Sequence, residues 1–248
     1  MSTQAPALPP AYILYLRAVV FLLFQVLTVL LYTTLGVLVA AVLPFPHRYR
    51  LLRTWAEINI WFLGQVCRLD YEVEGLENRP ARASIVMANH QSAWETLAFQ
   101  RFFPPMAWVL KRELLWIPFF GWGLALIEPI AIDRKAGRRS LERMIEVGRQ
   151  RLRAGRWVMI FPQGTRLAPG EVGRFKVGGA MLAVATGAPV VPVVHNSGRY
   201  WGRRRLVKYP GTVRVIIGSP IETEGRDAQE VLTEVRAWIE ENMRRIGA

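Results

Sequence analysis

From Ala18 to Leu43 the chain carries no charged side chain, and only Gln25, Thr28, Thr33, Thr34 and Gly36 interrupt the apolar run. A helix crossing the hydrocarbon core of a bilayer needs ~20 such residues, so this segment is long enough to span. A cleaved secretory leader fits poorly, because its apolar core is usually ~7–15 residues behind a basic start. Pro44-Phe45-Pro46 closes the run, and His47, Arg48, Arg50 and Arg53 follow at once. Basic flanks stay cytoplasmic, which places the rest of the chain on that side. Spanning is the favoured geometry, with a half-embedded helix as the alternative. Residues 49–68 mix Leu51, Leu52, Trp55, Ile58, Trp61 and Leu63 with a few charges. That is the pattern of a second, interfacial helix with aromatic residues at headgroup depth. Residues 1–68 are thus expected to form a two-helix membrane anchor, and 69–248 a separate domain.

Length allows this: 248 residues suffice for one α/β domain beside such an anchor. Lys and Arg outnumber Asp and Glu by 32 to 19, a net charge of +13, so the partner should be anionic. An acidic lipid surface, a phosphorylated substrate and nucleic acid all qualify. The single cysteine, Cys67, excludes an intrachain disulfide and a cysteine-cluster metal site.

Composition changes at Asp70, after which short apolar runs alternate with helical stretches. Strands are expected at 71–74, 84–88, 106–110, 127–132, 157–161, 190–194 and 212–217. Helices are expected at 92–103, 138–154, 175–186 and 227–245, the last with Asp227 as N-cap and Arg244-Arg245 at its C-terminal end. This alternation predicts an α/β fold around a largely parallel sheet.

The chemistry concentrates in Asn89-His90-Gln91-Ser92-Ala93-Trp94-Glu95, between an apolar strand and the start of a helix. Strand ends and helix starts leave polar backbone groups free, so ligands bind at that sheet edge. On one continuous helix, positions 90 and 95 would lie about 140° apart. A turn at His90 with a helix starting near Ser92 instead lets Glu95 point back and hold the imidazole. That is a base with its orienter, able to take a proton from a hydroxyl. Ser92 to Glu95 also spells a capping box, in which Glu95 returns to the Ser92 N–H, and the two roles are compatible. His90 as a merely buried histidine is the plain alternative.

Other strand exits converge on the same chemistry. Pro162-Gln163-Gly164-Thr165-Arg166 follows an apolar strand, offering backbone N–H groups and a guanidinium fork to a phosphate, or forming an ordinary turn. His195-Asn196-Ser197-Gly198 follows another strand, Lys111-Arg112 a third, and Asp133-Arg134 a fourth. Between them Trp116, Phe119, Phe120 and Trp122 supply apolar surface, a combination suited to an amphiphile with an anionic head.

In these blocks the chain resembles the glycerolipid acyltransferases, specifically the bacterial 1-acyl-glycerol-3-phosphate acyltransferases. Asn89-His90-Gln91-Ser92…Glu95 matches the family's first block, histidine, four residues, then an acid. Lys111 through Pro118 and Gly121 to Ile132-Asp133-Arg134 matches the second, Phe161 to Arg166 the third, and Val190-Val191-Pro192-Val193 the fourth. Two positions depart: the acid is Glu95 where Asp is usual, and Gln163 stands where the family has Glu. The resemblance implies an αβ acyltransferase domain, preceded by a two-helix membrane motif, at a bacterial inner membrane with the catalytic domain facing the cytoplasm. It implies His90 and Glu95 as the catalytic pair, with Lys111, Arg134, Gln163, Gly164, Thr165 and Arg166 binding substrate. The implied acceptor is a lysophospholipid, 1-acyl-glycerol-3-phosphate, acylated at its sn-2 hydroxyl to phosphatidic acid. The donor is acyl-CoA or acyl-carrier protein, and no metal or organic cofactor is called for. Another lysolipid, such as lyso-ornithine lipid, is the alternative acceptor.

Two rivals are less well supported. A thioesterase would use the same histidine with water as acceptor. A membrane-anchored nucleic-acid binder would use Arg138-Arg139, Arg149, Arg151, Arg153, Arg156 and Arg203-Arg204-Arg205, but no nucleic-acid-binding motif accompanies them. Those arginines fit an anionic lipid surface better.

Overall fold

The computed structural model describes residues 8–39, 42–133 and 135–248. Two helices come first, α1 (Ala11–Val39) and α2 (Phe45–Cys67). Pro44 caps α2 and Pro46 lies in its first turn, where a missing N–H costs no intrahelical bond. Arg68, in the left-handed region at φ 57°, ends α2 and turns the chain into the sheet.

The sheet has seven strands: β1 (Leu69–Glu74), β2 (Ile85–Ala88), β3 (Met106–Lys111), β4 (Ile130–Ile132), β5 (Trp157–Ile160), β6 (Val190–His195) and β7 (Gly211–Ile217). Their order is β1-β7-β6-β2-β5-β3-β4, parallel at each pairing except β6 with β7. The parallel connections run through α3 (Trp94–Phe102), a short α4 (Phe120–Ala125), α5 (Gly137–Arg153) and α6 (Gly178–Thr186), and α7 (Ala228–Ile246) closes the chain. Only β6 returns directly to its neighbour, through a connection with no α-helix, as an antiparallel pair permits.

The central strands are buried on both faces, so alternate residues feed two cores. Val86, Ala88, Val191 and Val193 meet α2 and α3 on one face, through Tyr49, Trp55, Ile60, Leu63 and Leu97. Ile85, Met87, Val190 and Val194 meet α5, α6 and α7 on the other, through Met144, Leu182, Val231 and Ile239. Helix α2 therefore shares a core with the sheet.

Helix α1 buries a stripe of Leu14, Ala18, Phe21, Thr28, Thr33 and Gly36 and exposes apolar residues around the rest of its surface. At one place along it Phe21 packs edge-on against Trp201, and Cys67 Sγ lies 3.8 Å from the Arg17 carbonyl. At another, Gly36 faces Leu126 and Leu51, and Thr33 faces Gly123. By length and composition α1 is able to cross a membrane.

Several boundaries differ from the sequence expectation. Helix α3 starts at Trp94 rather than Ser92, because residues 89–92 are bonded to the β6 exit, to the Gln163 loop and to Glu95. The strand expected from 127 starts at Ile130, since Ile127 and Glu128 still donate back to Leu124 and Ala125. Helix α6 begins at Gly178 rather than 175, because the Lys176 N–H is tied to the Pro162 carbonyl. Helix α4 was not expected; it folds tightly under Gly121, where a Cβ would strike the carbonyl oxygens of Leu114 and Leu115.

Candidate active site

The C-terminal ends of β6, β2, β5 and β3 lie side by side in the sheet, and the motif residues hang from them. Asn89 stitches two of these exits together. Its Nδ2 donates to the His195 carbonyl at 2.8 Å, and its Oδ1 accepts from the His195 N–H at 3.0 Å. His90 follows, its own N–H donating to Gln163 Oε1 at 2.7 Å and its carbonyl accepting from the Leu167 N–H at 2.8 Å. The imidazole is thus presented on a backbone clamped by the β5 exit loop. It stacks on Phe161 with centroids 3.9 Å apart.

His90 Nδ1 lies 2.8 Å from Glu95 Oε1. The same oxygen accepts the N–H groups of Gln91, at 3.0 Å, and Ser92, at 2.8 Å, while Ser92 Oγ accepts from the Trp94 N–H. One carboxylate oxygen therefore serves both as orienter and as the acid of the capping box. Glu95 is fully buried, and burial alone would favour its neutral form; His195, His90 and the Ser92 N–H together hold its pKa down at about 2. An ionised Glu95 requires the proton on His90 Nδ1, which leaves Nε2 as the acceptor. The His90 side chain is 16% exposed, enough for Nε2 to meet a substrate.

Behind this pair lies a second histidine. Ser197 Oγ donates to Glu95 Oε2 at 3.0 Å and lies 2.9 Å from His195 Nδ1. His195 Nε2 is 2.8 Å from the Asn89 carbonyl, which accepts only, so Nε2 carries a hydrogen. Ser197 has one hydrogen of its own. Both of its contacts are satisfied together only when His195 Nδ1 is protonated as well. Burial opposes that charge and pushes His195 below the ordinary histidine range, while Glu95 pulls the other way. The sequence offered His195 as a polar strand exit; the relay through Ser197 joins residues far apart in the chain and could not be read from it.

The remaining sequence candidates fall as follows. Gln163 is buried with its amide fully engaged, accepting from the His90 N–H and donating to the Val172 carbonyl at 2.7 Å. The amide thus ties the His90 backbone to the segment at Val172, and a carboxylate there would lack the donor for Val172. Gly164, at φ 71°, turns the loop, and Thr165 is exposed on it. Among the described residues, the N–H groups of Thr165 and Arg166 have no acceptor. Arg166 is half-buried with Nε unpartnered; burial disfavours its charge, Glu95 favours it, and Arg203, bonded to the Arg166 carbonyl at 3.2 Å, opposes it. Lys111 is exposed at the β3 exit, 4.0 Å from Glu113. Arg134 lies outside the described residues. Among the described residues no cluster of His, Cys, Asp and Glu could hold a metal ion.

A buried acid holding a histidine at the ligand edge of an α/β sheet, with cations around it, has the geometry of a general base with its orienter beside an anion site. The Acyltransferase family profile matches residues 70–196. The chain is 43% identical over 235 residues to the 1-acyl-sn-glycerol-3-phosphate acyltransferase of Pseudomonas aeruginosa, covering 93% of this chain and 91% of that one. It is 34% identical over 164 residues to the 1-acyl-sn-glycerol-3-phosphate acyltransferase alpha of Mus musculus, covering 64% of this chain and 58% of that one. The crystal structure of the 1-acyl-sn-glycerophosphate (LPA) acyltransferase PlsC from Thermotoga maritima superposes with a TM-score of 0.79 at 25% identity, covering 94% of this chain and 95% of that one. The chain belongs to the 1-acyl-sn-glycerol-3-phosphate acyltransferase family.

Proposed function

We propose that the protein transfers a fatty acyl group from an acyl thioester to the sn-2 hydroxyl of 1-acyl-glycerol-3-phosphate, giving phosphatidic acid. The observation that carries this is His90 Nδ1 held at 2.8 Å by an ionised Glu95, with Nε2 left to accept a proton. Nε2 removes the hydroxyl proton as the oxygen attacks the thioester carbonyl. The N–H groups of Thr165 and Arg166, on the loop that clamps His90, receive the oxyanion of the tetrahedral intermediate. When the C–S bond breaks and the ester remains, the imidazolium returns its proton to the departing sulfur. Arg166 and Lys111 bind the acceptor phosphate, with Arg134 as a further cation. Gln163 acts by holding the His90 backbone.

We place the enzyme at the cytoplasmic face of an inner membrane, with α1 half-embedded rather than spanning. What supports the half-embedded reading is that α1 touches the αβ body at two separate places along its length, at Phe21–Trp201 and Gly36–Leu126. The test is His90→Ala, assayed with palmitoyl-CoA against lysophosphatidate, zwitterionic lysophospholipid and lyso-ornithine lipid. Loss of general-base help should lower turnover ~10²–10⁴-fold with the fold retained. Turnover near that of the unmodified protein would remove His90 from the chemistry. Preference of the unmodified protein for the ornithine acceptor would overturn the acceptor assigned here.

A further inference from the structure

The two substrates of such a reaction differ in solubility. The acceptor is a lipid, whereas the donor thioester rides on a charged, water-soluble carrier. Helices α1 and α2 and the exposed aromatic side chains Trp61 and Trp116 mark the lipid side. They flank the core that faces α2 and α3. On the opposite layer an open cleft of about 1010 Å³ lies between the segment 167–177 and α7. Gln163 and Thr165 are among the residues that line it, so it adjoins the loop that clamps His90. Phe175 and Leu232 give it an apolar floor continuous with the second core.

Its charge is uncompensated in a particular place. Arg236 is paired with Glu240 at 2.6 Å, but Arg174 and Lys176 form no ion pair among the described residues. Lys176 is fixed at its backbone to Pro162, and its side chain passes over Gly164. A Cβ at Gly164 would lie 3.1 Å from Lys176 Nζ. A free ammonium therefore lies over Gly164 of the loop that clamps His90, with the free guanidinium of Arg174 also lining the cleft. Two unpaired cations over an apolar floor suit a phosphate on a long, partly apolar arm.

We propose that this cleft binds the 4′-phosphopantetheine arm of the acyl donor, with Arg174 and Lys176 on its phosphate and the thioester led past Thr165 to His90. Coenzyme A and acyl-carrier protein share this arm, so the site reads what the two donors have in common. This assignment rests on the acyl-transfer function proposed above. Both side chains are exposed, so the double substitution R174A/K176A removes the charge without opening a core.

The test compares palmitoyl-CoA, palmitoyl-carrier protein and palmitoyl-pantetheine, which lacks the phosphate, with lysophosphatidate as acceptor. The expected result is a KM about tenfold higher for the two phosphate-bearing donors, with the phosphate-free donor and the KM for lysophosphatidate unaffected. An equal penalty on palmitoyl-pantetheine would make the pair a shaper of the loop and overturn the site. So would an unchanged KM for palmitoyl-CoA. A penalty on palmitoyl-CoA alone would overturn the shared phosphate and assign the contact to the nucleotide. Calorimetric binding of free coenzyme A, weakened in the variant while pantetheine binding is unaltered, tests the cleft without turnover. If the unmodified protein failed to acylate lysophosphatidate, the proposed function would fall while this binding comparison still judged the cleft.

Discussion

Glu95 carries more of the site than its position in a motif implies. One oxygen accepts from His90 Nδ1 and two backbone N–H groups, and the other accepts from Ser197. An amide of the same size keeps an acceptor but loses the charge all four donors address. Glu95→Gln should therefore lower turnover ~10²–10⁴-fold and also destabilise the fold by about 1.5–3 kcal/mol. The pH dependence follows from its depressed pKa of about 2. Unfolded, the group titrates near ~4.3, so its ionisation stabilises the fold above that pH and the contribution is lost as pH falls toward the folded value. Urea denaturation should give a gap between the unmodified protein and Glu95→Gln that is full at neutral pH and shrinks at acidic pH. A gap independent of pH would mean that shape, not charge, accounts for it. Ser197 stands one step further back, bonded to Glu95, where we expect it to act as a positioning residue. Ser197→Ala should lower kcat about tenfold and leave both KM values alone, because it touches Glu95 rather than a substrate. A lower melting temperature with normal kcat would reduce Ser197 to a structural role. The sequence made the His90–Glu95 pair legible because the two residues lie only five positions apart. It could not show that Asn89 and Ser197 tie them to His195, since that depends on β2 and β6 being neighbours.

At the scale of elements, α1 is more than a tether. Phe21 is fully buried against Trp201, Phe62 and the Lys208 ammonium, 5.0 Å from its ring, and Trp55 Nε1 donates to Thr28 at 3.1 Å. Deleting residues 1–43 would uncover Trp55, Asn59 and Leu63, which pack within the α1–α2 pair and the core beneath it. The truncated protein should therefore lose thermal stability in detergent as well as membrane retention. A truncated form with unchanged melting temperature and activity would restore the simple tether. Phe21→Ala is the finer probe, with a cost of ~3–5 kcal/mol for a buried phenyl ring. It should raise hydrogen exchange along α1. The apolar run of α1 was plain in the sequence, but its docking was not, because the buried stripe includes Thr28, Thr33 and Gly36 and has no apolar excess over the exposed surface.

For the whole molecule, charge and apolar surface act together. A net +13 attracts an anionic surface, while Trp61, Trp116 and Trp122, 59%, 65% and 48% exposed, offer insertion at headgroup depth. Arginines near such a surface contribute ~1 kcal/mol each, a contribution that salt screens. Sedimentation with vesicles should show tighter binding to anionic than to zwitterionic lipid at low salt, with the difference reduced at high salt and a residual apolar binding to both. Equal binding to both lipids at low salt would mean that the positive charge serves substrates alone.

The sequence by itself determined the α/β class, the long apolar helix, and the pairing of His90 with Glu95. Those features are local: a run of hydrophobicity, a period, or two residues five positions apart. Only the tertiary structure decided that β6 and β7 pair antiparallel, that α2 shares the sheet's core, and that Gln163 is spent on the His90 backbone. It alone placed a charged cleft on the side of the sheet away from α1 and α2. The reason is physical: strand order, and hence which exits meet at one edge, is set by packing two apolar faces of the sheet at once. No stretch of chain records that arrangement.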